Sequence, residues 1–203
     1  MPTADQILNG LWEIANIWKI VSILWHIYFG AFVVVLAMGV RPSKRIAGLL
    51  LGLPLLSVSV FAWLSSNPFN GAVFAVVGIV LLLIAAKLKR DSVQVTSLWS
   101  LIPGALLFAF GWIYPHFLNT SSYLPYLYAA PVGIIPCPTL ILGIGAMLVL
   151  DNLGSRSLSI ILGIAGLLYG IMGVAYLHIM PDWALIFGAA LILIYSTKRI
   201  KIV

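Results

Sequence analysis

Charge is scarce in this 203-residue chain: 11 Lys and Arg with 5 Asp and Glu make up 8% of it, against about 25% in an average soluble domain. Hydrophobic residues reach 63% and the mean hydropathy is +1.14, so a soluble fold has too few charges to cover its surface. Cysteine is represented by Cys137 alone, which excludes an intramolecular disulfide. No Lys or Arg precedes Lys19. The first residues therefore lack the charged stretch that opens a cleavable signal peptide, and the mature chain is expected to begin here. Also missing are a nucleotide-binding glycine loop, a zinc-protease motif, paired intramembrane carboxylates and a Ser-His-Asp set, which leaves enzyme readings with little support. The net charge of +6 does not argue for a nucleic-acid partner, because the basic residues fall in short clusters between hydrophobic runs.

What the chain does have is apolar length. At roughly 20 residues per crossing the content allows about six or seven spans, and the expected architecture is all-α: one integral membrane domain over residues 1–203, a polytopic transmembrane helix bundle. Thr3-Ala4-Asp5-Gln6 has capping-box spacing, and Ile7, Leu8, Leu11, Trp12, Ala15 and Trp18 share a face opposite Asp5, Asn9, Glu13 and Asn16. Residues 1–16 thus read as an amphipathic interfacial helix running into the first span. The spans are placed at about 17–40, 46–64, 71–86, 98–114, 132–150, 158–177 and 183–196. Basic clusters follow the first, third, fifth and seventh, so seven crossings put ten of the eleven Lys and Arg on one side. The positive-inside rule then sets the N-terminus outside and the C-terminus in the cytoplasm. The alternative of six crossings would leave the basic tail from Thr197 outside. Arg41, Pro68 and Phe74 are echoed by Arg156, Pro181 and Phe187 at offsets of 115, 113 and 113 residues, the trace of a three-plus-one-plus-three repeat.

One stretch breaks the membrane pattern. Pro131-Val132-Gly133-Ile134-Ile135-Pro136-Cys137-Pro138-Thr139 holds three prolines in nine residues, and Pro136 and Pro138 remove two backbone donors. The fifth helix is therefore expected to break at Pro136–Pro138 and to restart at Pro138, where proline suits the first helical position. From Pro138 to Leu150 it would rise only about 20 Å against a hydrocarbon core about 30 Å thick. Residues 131–137 then enter the membrane as irregular backbone, which requires burial in protein or a wet cavity near Cys137. Cys137 at the N-cap would feel the positive end of the helix dipole, favouring a thiolate suited to a soft metal or to nucleophilic attack; buried among apolar groups it would instead be an inert packing residue. Thr139 caps the same turn or bonds a neighbouring carbonyl.

Asn67-Pro68, Tyr114-Pro115, the Pro131-x-Gly133-x-x-Pro136-Cys137-Pro138-Thr139 stretch and the late Asp182 resemble a family of uncharacterised bacterial multi-pass membrane proteins known only as a domain of unknown function. The resemblance covers most of residues 60–195, and the Pro-Cys-Pro-Thr stretch is its specific part. Members often carry a histidine before the tyrosine matched by Tyr123 and another shortly before Asn67-Pro68; this chain has Ser121 and Ser59 there. The resemblance implies a multi-pass protein of the bacterial inner membrane and supplies no activity or cofactor.

Among other residues, His26 lies about 10 Å below Lys19 at helical rise, with Ser22 on its face. An ionisable group at that depth faces the bundle, as a metal or proton ligand or as a neutral hydrogen-bonded histidine. His116, His178 and Asp182 are expected in solvated outer loops, and Tyr114, Tyr123, Tyr126 and Tyr128 with Trp112 in an interfacial aromatic belt. Gly163, Gly166, Gly170 and Gly173 permit close helix packing, within the chain or in a homo-oligomer. The polar residues fall on the outer side. The leading expectation is thus transport or binding of a small solute or soft metal at an outward-facing site near Cys137, with His26 as partner and Pro136, Pro138, Thr139 and Asp182 in support. The alternative is a structural or accessory protein acting through helix association in the lipid bilayer.

Overall fold

Thr3 accepts the Gln6 N–H on its hydroxyl while the Gln6 side chain accepts the Thr3 N–H, a reciprocal capping box that starts α1 at Ala4–Ile17. The computed structural model describes residues 3–198. Leu11, Ile14 and Ala15 form the buried face of α1, and Trp18 ends it at φ −98°, ψ 22° before α2 at Lys19–Ala37. Then follow α3 at Lys44–Leu64, α4 at Pro68–Ala86, α5 at Leu98–Ile113, the single turn α6 at Tyr126–Ala129, α7 at Pro136–Val149, α8 at Arg156–Ile171 and α9 at Trp183–Lys198. Among the described residues there is no β-strand beyond an isolated bridge between Ser43 and Ser92. The architecture is all-α. Five helical stretches, Lys19–Ala37, Lys44–Leu64, Pro68–Ala86, Arg156–Tyr176 and Met180–Thr197, are long and apolar enough to cross a membrane, and Leu98–Ile113 and Pro136–Val149 are shorter apolar helices.

The centre of the molecule is α7. Nearly all its side chains are buried, as befits a helix that is apolar on every side. Against it α5 packs backbone to backbone: a Cβ at Gly111 would stand 2.6 Å from the Leu142 nitrogen, and Gly145 meets the backbone of Phe108. Two helical hairpins, α3–α4 and α8–α9, flank this pair. In the second, Gly163, Gly166 and Gly170 face Leu193, Ala189 and Ile186 of α9, and Gly173 faces Asp182 just ahead of it. The small-residue stripe of α8 is thus a seam within the chain.

The two ends of the bundle differ chemically. At one end Lys44 donates its N–H to Asp91 O (2.8 Å), Val93 to Pro42 O (2.9 Å) and Thr96 to Val149 O (3.0 Å). These bonds gather the connections that carry Arg41, Lys44, Lys87, Lys89 and Arg90. Of the C-terminal basic cluster, Arg199 and Lys201 lie outside the described residues. At the other end Asn16 clamps α1 onto the connection after α5, donating to Phe117 O (2.9 Å) and accepting from Asn119 N (2.8 Å).

Candidate functional site

The proline-rich stretch starts its helix earlier than its spacing predicts. Ile135, extended at φ −119° and ψ 142° as a residue before proline should be, is the N-cap, and α7 begins at Pro136. Cys137 is therefore the second helical residue and not the N-cap. Both prolines fall within the first turn, where backbone N–H groups have no intrahelical partner to lose. The irregular backbone lies just before Pro136, and every residue from 129 to 142 is buried. Gly133, at φ +76° and pressed against Trp25, could not carry a side chain there. Its N–H is accepted by the Thr139 hydroxyl at 2.8 Å, and that hydroxyl donates to Ile135 O at 2.7 Å. Thr139 thus locks the loop onto the helix it precedes.

Asp182 corrects the solvated-loop reading. It is completely buried. The Tyr114 hydroxyl donates to its Oδ1 at 2.6 Å, which makes Tyr114 an interior hydrogen-bond donor and removes it from the aromatic belt. The Cys137 thiol abuts the same carboxyl. The second oxygen, Oδ2, makes no hydrogen bond and fits only because Gly173 has no side chain, since a Cβ there would overlap it. The backbone is bent to suit. After α8 the chain widens into a π-helical turn at Met172–Tyr176, with Leu177 N–H donating to Met172 O (3.0 Å) and Ile179 N–H to Gly173 O (2.8 Å). His178 then takes φ +55°, turning the chain into the Met180–Asp182 turn that presents the carboxyl. Single π turns within helices recur at functional sites.

Beside this cluster lies a cavity of about 440 Å³ between α1, α4, α7 and α8, with Cys137, Gly173, Asn70, Tyr169 and Tyr176 in its walls and Leu11 of α1 across it. Inside it the buried Tyr169 hydroxyl donates to Asn70 Oδ1 at 2.9 Å. Its size falls within the range of small-molecule sites, which are mostly apolar with a few convergent polar groups.

His26 is not part of this cluster. Its Nδ1 lies 2.8 Å from Ser22 O and its Nε2 2.9 Å from Trp112 O, so the ring sits between α2 and α5 with a backbone carbonyl facing each nitrogen. Among the described residues no three His, Cys, Asp or Glu side chains come together to hold a metal ion. Burial lowers the affinity of His116 for a proton, holding its pKa below the usual histidine value, and His178 is exposed. Ser59 donates from a buried site to Gly71 O at 2.7 Å.

Sequence reasoning brought Cys137 and Asp182 forward but missed Asn70, Tyr169 and Gly173 as partners. The usable signals were the asparagine three residues into an Asn-Pro helix start and a tyrosine on a glycine-rich face. Compared with protein-family models, curated proteins and solved structures, the chain matches none.

Proposed function

We propose that the protein is a multi-pass membrane protein that binds a small, largely apolar solute in the cavity beside Cys137, as a carrier or receptor for it. In this reading α2–α5 and α7–α9 are seven spans, the basic end faces the cytoplasm of a bacterial inner membrane, and the cavity opens outward. The positive-inside rule supports that orientation. One observation carries the functional reading: a fully buried carboxyl with one oxygen unpartnered lies behind the wall of a cavity large enough for a ligand. Ionisable groups inside a membrane bundle are expensive to keep and mark ligand or ion pathways. An organic solute suits the donors better than a soft metal, because Cys137 and Asp182 converge without a third ligand among the described residues. The seam of α8 glycines is occupied by α9, which takes from the accessory-protein alternative the surface that motivated it.

Thiol labelling in intact cells tests the proposal. A small permeant maleimide is expected to modify Cys137 in the native protein, and a bulky reagent far more slowly. A thiol that reacts with neither until the protein is denatured would show that the cavity admits nothing and would overturn the reading.

A further inference from the structure

The charge pattern around the cavity indicates what kind of solute fits it. No Lys, Arg or His lines the cavity. Asp182 is an acid adjoining its wall: Cys137 and Gly173, which both line the cavity, also abut its carboxyl. The unpartnered oxygen is thus one residue removed from the cavity, packed against Gly173 where a Cβ would overlap it. Asp182 also stands at the N-terminal end of α9, where the helix dipole favours negative charge. The α7 terminus at Cys137 would favour anions too, but Pro136 and Pro138 have no N–H to offer them. Tyr114 and Cys137 bring hydrogen-bonding groups to the carboxyl and no positive charge. Phe69, Tyr169 and Tyr176 add aromatic residues to a wall that is otherwise mostly aliphatic, and aromatic rings attract cations.

From this arrangement we infer that the solute is a lipophilic cation, an apolar body bearing an ammonium or similar charge, with Asp182 as its counter-charge. The inference rests on the cavity reading above and adds the sign of the ligand. In a low-dielectric interior a carboxylate without a counter-ion is costly, and a ligand that supplies the charge gains what a neutral one of the same shape cannot.

The probes are hexyltrimethylammonium, 1-heptanol and hexanesulfonate, each scored by how well it protects Cys137 from N-ethylmaleimide in protein held in nanodiscs of zwitterionic lipid. The cation is expected to protect at a concentration about tenfold or more below that of the alcohol, and the sulfonate not at all. In Asp182→Asn the advantage of the cation over the alcohol, compared within that variant, should disappear. A cation no better than the alcohol, or a preference that survives Asp182→Asn, overturns the inference while leaving the cavity reading intact. If none of the three protects a thiol that does react, the cavity reading falls as well. Should Asp182→Asn fail to fold, the order of the three probes on the unaltered protein decides the matter.

Discussion

The two helical hairpins that flank α7 are built alike and end differently. In α3–α4 the helices close on Gly52 against Leu82 and Gly78 against Leu56, and the end away from the basic connections is sealed by Trp63 lying on Gly71. In α8–α9 they close on Gly163 against Leu193 and Gly170 against Ile186, but at the corresponding end the group against glycine is the carboxyl of Asp182. An indole satisfies a hairpin end through dispersion and area alone. A carboxyl needs donors, and this one has Tyr114 on one oxygen, the Cys137 thiol beside it and no hydrogen bond on the other oxygen. The first hairpin shows how the same seam closes when only packing is at stake. What the second departs from it for is the cavity, which takes Phe69 and Asn70 from one hairpin and Tyr169 and Gly173 from the other.

The sharpest way to separate the two ends is to add one methyl group to each. Gly173→Ala would drive a Cβ into Asp182, which is fully buried and tethered by Tyr114. A loss of about 2–3 kcal/mol is expected, as for overpacking a core position. Gly71→Ala meets the Trp63 ring at 2.7 Å, yet that ring is 55% exposed and free to swing outward; the expected loss is below about 1 kcal/mol. Unfolding of the two variants by denaturing detergent measures both. Equal losses would mean that the carboxyl is no more fixed than the indole and that the hairpin ends are equivalent.

Much of this architecture is legible in the sequence, for reasons that differ by element. The capping box at Thr3 and Gln6 and the long apolar runs of α3, α4 and α8 are local signals, and the helices form where periodicity and capping place them. The loop before α7 was legible too, since prolines constrain only their own neighbourhood. The start of α7 was misplaced by two residues because a proline in the first turn loses nothing wherever in that turn it stands. The Asp182 environment was not legible at all: its partners lie 68 residues away at Tyr114 and 45 away at Cys137, and a π turn with a left-handed His178 folds an apparent loop back into the bundle. Of the three pairs that suggested a repeat, Arg41/Arg156, Pro68/Pro181 and Phe74/Phe187, the phenylalanines differ in their surroundings. Phe74 is fully buried against Tyr169, with ring centroids 5.2 Å apart, whereas Phe187 is 57% exposed.

A gentler change compares the hydrogen bonds at the two ends. Tyr114→Phe leaves both Asp182 oxygens without a donor hydroxyl, and a loss of about 1.5–3 kcal/mol is expected for a bond to a charged or chargeable group in the interior. Ser59→Ala in the first hairpin removes only the bond to Gly71 O, a carbonyl that its own helix continues to engage; about 0.5–1 kcal/mol is expected. Detergent unfolding again serves. A Tyr114→Phe variant as stable as the parent would mean that the carboxyl relaxes to another donor, and the contrast between the ends would shrink to packing.

The smallest effect concerns the clamp that holds α1 across the cavity. His116 lies two residues beyond Tyr114 and forms, with Trp12, Phe117 and Tyr126, a hollow against α1. Burial lowers its pKa from 6.5, so the undocked connection takes up a proton more readily than the docked one. Docking is then at full strength above pH 6.5 and weakens as the pH falls through the depressed folded value. The residue is partly exposed to water, which keeps the effect modest. Hydrogen exchange in α1 should therefore quicken on going from neutral pH to about pH 5, after correction for the intrinsic pH dependence of exchange, and His116→Gln should abolish the change. Because the chain passes from the Tyr114 that holds Asp182 straight to this histidine, α1 would loosen over both hairpins at once. A response confined to residues lining the α8–α9 side would instead show that the carboxyl, and not the clamp, senses the acid.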